Sequence, residues 1–159
     1  MVVVREVSPD DWKVLREVRL AALREAPQAF GSTYAREAPF TEEQWRGRIN
    51  ARSVTFFARL PQSPEPAGLA GIYVEDGVPD LVSMWVRPSA RGNRVGEALI
   101  TAAADWVKSR DHDAVFLWVT EPNAPARTLY ERCGFTPTGD RQPLPSNQEL
   151  TEIRMRRPL

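Results

Sequence analysis

The residues best placed to do chemistry are the two glycines and three arginines of V-R-P-S-A-R-G-N-R-V-G, residues 86 to 96. This loop stands between an apolar run, Leu81 to Val86, and a stretch in which Leu99, Ala102, Ala103, Trp106 and Val107 recur at helical spacing. The run reads as a buried strand that Pro88 stops, because proline lacks the N–H that a ladder would use. The loop therefore opens a helix, whose first-turn amides have no intrahelical acceptor and whose dipole adds partial positive charge. An anion such as a pyrophosphate is the natural ligand there. Gly92 and Gly96 would let the backbone come close, with Arg91 and Arg94 supplying charge. The same residues also describe an ordinary surface turn with solvated arginines.

Two phosphate-binding motifs fail on spacing. A Walker A loop needs lysine and then serine or threonine after its second glycine, whereas Gly96 is followed by Glu97 and Ala98. A dinucleotide fingerprint needs three glycines as G-x-G-x-x-G, and only Gly92 and Gly96 are present.

A second constellation follows another strand-like run, Ala114 to Val119. In E-P-N-A-P-A-R-T-L-Y-E-R-C-G-F, Asn123 suits a helix N-cap, Pro125 the first turn and Gly134 the stop. Ala126, Leu129, Tyr130 and Cys133 share one face of that helix. On these residues alone, Asn123 is a plain cap and Tyr130 a core aromatic.

Together the two segments resemble the GNAT superfamily of acyl-CoA N-acyltransferases. The first matches its pattern [Q/R]-x-x-G-x-[G/A] through Arg91, Gly92, Asn93, Arg94, Val95 and Gly96, after a strand ending in V-x-P. The second, Asn123, Ala126, Leu129, Tyr130, Gly134 and Phe135, is similar to N-x-x-A-x-x-L-Y-x-x-x-G-F. One position departs: Arg94 stands where glycine is usual, so either its backbone keeps a negative φ or the turn differs slightly. The motifs lie within residues 81 to 135.

The resemblance implies acetyl-CoA as cosubstrate and no metal. Amides of Gly92 to Glu97, with charge from Arg91 and Arg94, would hold the pyrophosphate. Met84, Trp85 and Val86 would pair through their main chain with the pantetheine, and Asn123 and Ala126 would flank it. Tyr130 would present its hydroxyl to the CoA sulfur. The reaction is then aminolysis of a thioester, which needs a deprotonated amine, a stabilised oxyanion and a proton for the leaving thiolate. An alkyl amine has a pKa of about 10, so a base must take its proton. Glu121, just past the fifth strand, is the chosen candidate; Glu37, Glu75 and Asp80 are weaker ones, and ordered water needs no residue at all. Cys133 on an apolar helix face and the lone His112 in a charged turn make a poor nucleophilic pair, which favours direct transfer. Residues 29 to 37, A-F-G-S-T-Y-A-R-E, are expected near the acceptor, a primary amine of a small molecule or a peptide. The alternative is a catalytically silent acyl-CoA-binding or partner-binding module with the same fold.

The elements that must position these residues can be read along the chain. Val2 to Val7 is a short strand, Ser8-Pro9-Asp10-Asp11 a capping box, and a helix follows to about Glu25. Gln28 to Phe40 reads as a loop, and Thr41 with Gln44 opens a helix to about Arg52. Strands are expected at 53–60, 68–75 and 81–86, the last two forming a hairpin around Asp76 to Asp80. After the two strand and helix units, Phe135 to Met155 reads as two strands joined by a long loop. The order β-α-α-β-β-β-α-β-α-β-β is that of the resembled family. It implies an α/β (α+β) single domain over residues 1–159, with about four helices around a mixed, mostly antiparallel sheet splayed between its fourth and fifth strands.

Composition agrees. A chain of 159 residues with 42% hydrophobic content builds one core. Basic and acidic residues balance at 21 each, which gives no general attraction to nucleic acid or an anionic membrane. One cysteine allows no internal disulfide, and no run approaches the roughly 18 apolar residues of a membrane span. The start of the chain lacks signal-peptide character, so a cytoplasmic location is expected. Five tryptophans give aromatic area for a homodimer interface as well as a core.

Overall fold

The computed structural model describes residues 1–159. Strand β1 (Val3–Glu6) leads through a turn of 3-10 helix at Pro9–Asp11 into α1 (Trp12–Glu25). The Asp11 carboxylate closes the start by accepting from the Ser8 amide at 2.8 Å. The expected 28–40 loop contains a further 3-10 turn, Pro27–Ala29, and a short helix, α2 (Tyr34–Glu37), capped by Thr33. Five α-helices result instead of four. Helix α3 (Glu42–Gly47) carries the expected Thr41–Gln44 capping box but ends five residues before Arg52. Its stop is built by Asn50, whose amide donates to the Gly47 carbonyl at 3.1 Å and whose oxygen accepts from the Arg52 amide.

Strands β2 (Ser53–Arg59), β3 (Gly68–Glu75) and β4 (Val78–Val86) form an antiparallel meander. The β3–β4 hairpin is tighter than expected. Asp76 and Gly77 both take positive φ, the two-residue turn for which Asp-Gly is suited, so β4 starts at Val78. Helix α4 (Val95–Ser109), β5 (Ala114–Thr120) and α5 (Ala124–Arg132) complete the two strand and helix units. The last strands, β6 (Thr136–Leu144) and β7 (Asn147–Pro158), are longer than expected and joined by a tight turn, with Leu144 opposite Asn147. The long loop is absent because the two strands keep pairing up to Pro145 and Ser146, whose hydroxyl donates to the Phe30 carbonyl.

The seven strands run in the order β1-β2-β3-β4-β5-β7-β6. Only β4 and β5 are parallel, and they pair at just two positions, Asp80 with Phe116 and Leu81 with Leu117. Beyond these the strands part, which is the expected splay. Helix α4, with Tyr130 of α5, covers one face, packing Leu99, Ile100 and Trp106 on Leu117, Ile153 and Met155. Helices α1 and α3 cover the other, with Leu15, Leu23 and Trp45 against Phe57, Leu69 and Trp85. Each such side chain contributes roughly 2 kcal/mol when fully buried. Trp45, Trp85 and Trp106 are thus spent in the core, and Trp12 and Trp118 are half-buried. No helix is long and apolar enough to cross a membrane.

Candidate active site

The part of β4 that leaves β5 is shaped by a bulge. Leu69 faces Trp85 and Gly71 faces Val82, so Ser83 and Met84 together stand opposite Ala70. Ser83 takes a left-handed φ of 60°, unusual for a residue with a side chain. Its hydroxyl accepts from Arg19 Nη1 of α1 at 3.1 Å, which holds the bulge in place. After it, the Arg87 amide donates to the Ala67 carbonyl. By the alternation of an antiparallel ladder, the Val86 amide then points to the opposite edge, into the gap toward β5.

That gap is a cleft of about 430 Å³, with Met84, Trp85 and Val86 on one wall and Asn123, Ala126 and Tyr130 on the other. With Arg91, which also lines it, seven of the sequence-derived site residues meet in one place. Tyr130 is 7% exposed and meets Phe135 edge-on at 5.8 Å. Burial raises its hydroxyl far above the ordinary phenol value, with a smaller contribution from Cys133. The phenol remains a proton donor throughout the neutral range. Asn123 is indeed a helix cap: its oxygen accepts from the Ala126 amide at 3.3 Å. Its side-chain N–H groups donate to no protein atom, and the residue also lines the cleft.

At the mouth of the cleft lies the 92–97 loop. The amides of Gly92, Asn93, Arg94, Val95, Gly96 and Glu97 donate to no protein acceptor; the helix ladder begins only with Ala98 bonding to the Arg94 carbonyl. They border an open cavity of about 500 Å³. Arg94 keeps a glycine-like left-handed backbone at φ 61°, ψ 25°. The departure from the family pattern therefore changes the side chain and leaves the turn as glycine would make it. Gly92 is left-handed at φ 87° with open space around it. Gly96 serves another end: a Cβ there would stand 2.8 Å from Leu129 Cδ2, so its role is to let α4 and α5 touch.

The charges are distributed differently from the sequence reading. Arg91 donates to the Val86 carbonyl at 3.1 Å and to Glu25 at 2.8 Å, so its charge is already compensated. Arg94 and Arg132 border the loop cavity and enter no ion pair. Arg132 is the last residue of α5 and falls on no position of the sequence motifs. Glu25 was also missed: it ends α1, and its second oxygen accepts from Trp85 Nε1 at 3.1 Å. This ties α1 to the cleft wall.

Glu121 is not brought to the cleft. Strand β5 runs one residue further than expected, to Thr120, and Glu121 turns outward to pair with Arg141. Asp80 is likewise engaged, by Arg154. Glu37 is 1% exposed and chelated by Arg19 at 3.0 Å through both oxygens, with Arg48 at 2.8 Å. Burial pushes its carboxyl up, but the Arg19 hydrogen bonds and charge, with Arg48, outweigh this and hold it below the usual range. Glu25 is the one carboxylate in the cleft wall.

Comparison with known proteins places these features. Residues 19–135 match the model of the acetyltransferase (GNAT) family. A Bacillus subtilis protein provisionally named a [ribosomal protein bS18]-alanine N-acetyltransferase is 23% identical over 128 residues, which is 80% of this chain and 83% of that one. Among solved structures, a GCN5-related N-acetyltransferase from Kribbella flavida is 26% identical, with a TM-score of 0.74 over 99% of this chain and 98% of that one. A GNAT-family acetyltransferase from Streptococcus pneumoniae superimposes with a TM-score of 0.80 at 20% identity, covering 100% and 99%. Since the match takes in both the orphan amides of the loop and the helix that carries Tyr130, the chain belongs to the GNAT family of acetyltransferases.

Proposed function

We propose that this acetyltransferase uses the amides of residues 92 to 97 to hold the diphosphate of acetyl-CoA, and the splayed cleft to hold its pantetheine arm. The observation that supports this most directly is the set of six consecutive amides without a protein acceptor, beside two unpaired guanidinium groups. Three of these residues, Val95, Gly96 and Glu97, are buried or half-buried, and amides left this way are costly unless a ligand or water satisfies them. Acetyl-CoA, when bound, supplies the activated acyl group. The amide of Val86, turned into the gap, is the donor available to the thioester oxygen as charge develops on it. Tyr130 gives its proton to the departing thiolate; its raised pKa keeps that proton in place beforehand.

The acceptor is a primary amine that approaches from the α1 face of the sheet, where Val82 and Ser83 close the cleft. Glu121 and Glu37 are both held by arginines, and Glu25 by Trp85 and Arg91. The amine therefore loses its proton to water. Thiol release from acetyl-CoA, measured with a panel of primary amines, tests the reading. Acetyl-CoA-dependent N-acetylation of at least one of them is expected. Tight binding of acetyl-CoA with no transfer to any would overturn it in favour of a silent binding module.

A further inference from the structure

On the α1 face of the sheet, a second cavity of about 350 Å³ shares Val82 and Ser83 with the catalytic cleft. Its charged lining residues are Arg19 of α1 and Arg48 at the end of α3; the rest is apolar or neutral polar, including Asn50, Thr55 and Ser83. No carboxylate lines it. Behind the wall, Glu37 is the one acidic partner of both arginines.

The two guanidinium groups are not equivalent. Arg19 has a partner on each of its three nitrogens: Nε and Nη2 donate to Glu37, and Nη1 to Ser83. Arg48 stacks over Trp45 at 4.9 Å and touches Glu37 through Nη2 alone. Its Nε and Nη1 groups make no hydrogen bond to protein. Two positive charges thus face one negative charge, and Arg36 adds to the repulsion that Arg48 feels. The cavity has surplus positive charge, and a donor fork with unused N–H groups.

We infer that this cavity takes the anionic end of the acceptor, and that the preferred substrate is a small amine carrying a carboxylate. The inference rests on the acetyl-transfer reading above. A planar guanidinium with free donors matches a carboxylate in shape and charge. Because the cavity opens at Ser83 beside the cleft, an acceptor anchored there presents its amine from the face opposite α5. The same surplus charge repels polyamines, which have a second cation where the carboxylate should lie.

Matched amines test this. Leucine, β-alanine and γ-aminobutyrate are compared with isopentylamine, ethylamine and propylamine, their counterparts without the carboxylate, and spermidine serves as the cationic control. At least one carboxylate-bearing amine should exceed its counterpart in kcat/KM by about tenfold or more, the size of a charged hydrogen bond. In Arg48→Gln that ratio should fall toward one. Asn50→Asp, which keeps the oxygen that accepts from the Arg52 amide but gives up the donation to Gly47, places negative charge in the lining at an exposed position and should lower it too. A ratio near one in the unmodified protein, or one that survives both substitutions, overturns the inference. Calorimetric titration of the CoA-bound protein with N-acetyl-leucine and N-acetyl-β-alanine separates the two readings, since neither probe has a reactive amine. Binding that weakens at least about tenfold in Arg48→Gln, without turnover of any amine, supports the anion site and sinks acetyl transfer. Turnover of simple amines without binding of either probe leaves transfer intact and sinks the anion site.

Discussion

Tyr130 and Arg94 show how single residues set the terms of this site. The Tyr130 phenol is raised by burial, so it is protonated below its elevated pKa and lost as a donor only above it. The rate of acetyl transfer should therefore show no falling limb from this group up to pH of about 10, the usual tyrosine value, in a steady-state pH profile. Tyr130→Phe should lower kcat by about a hundredfold or more, the lower range of general acid catalysis, while the dissociation constant of acetyl-CoA by calorimetry changes little. Arg94 presents the opposite balance. Its left-handed backbone costs about 1 kcal/mol that glycine would not incur, so Arg94→Gly should raise the free energy of unfolding in a urea titration by that amount. The same change should weaken acetyl-CoA binding, because one of the two unpaired charges at the loop is lost. A glycine variant that gained no stability would mean that the side chain contributes to the fold elsewhere.

At the scale of elements, the contact of α4 with α5 is the tightest constraint around the cleft. Gly96→Ala would force a methyl group against Leu129 at 2.8 Å and Met84 at 3.3 Å. Overpacking of this kind costs about 1–3 kcal/mol, and pushing α4 outward shifts the amide loop at its start. The expected result is a lower melting temperature together with weaker acetyl-CoA binding, both measurable in one thermal-shift titration. Much of this arrangement was legible in the sequence. A strand, a loop with glycine and arginines and an amphipathic helix are all local signals, as are Asn123, Pro125 and Gly134 around α5. The bulge at Ser83 was not legible, because no glycine marks its left-handed position and Arg19, which holds it, is 64 residues away. The β6–β7 turn reads as a long loop in the sequence because Pro143 and Pro145 look like breakers. Yet Pro143 pairs with Thr151 on the edge strand, where proline is tolerated.

For the molecule as a whole, Glu37 is the point at which α1, α2 and α3 meet over the sheet. Its carboxyl is held below the usual range, so the stability it confers is present above its unfolded value and lost as pH falls through the depressed one. Urea midpoints measured from pH 6 downward should decline below about pH 4, and Glu37→Gln should flatten that decline. The substitution should also cost about 3–5 kcal/mol at neutral pH, because it strands two arginines without their shared partner. A pH profile unchanged by the substitution would count against this role. The sequence suggested Glu37 only as a weak base candidate; its partners come from separate helices, and no local pattern reveals such a cluster.

Because β4 and β5 are joined at Asp80 and Leu81 alone, the sheet is mechanically two leaves, one of four strands and one of three, sharing a short seam. On the proposed reading, a cosubstrate wedged past the seam would act as a clasp between them. Amide hydrogen exchange should then slow on both leaves when acetyl-CoA binds, including in strands it never touches, as the leaves cease to swing independently.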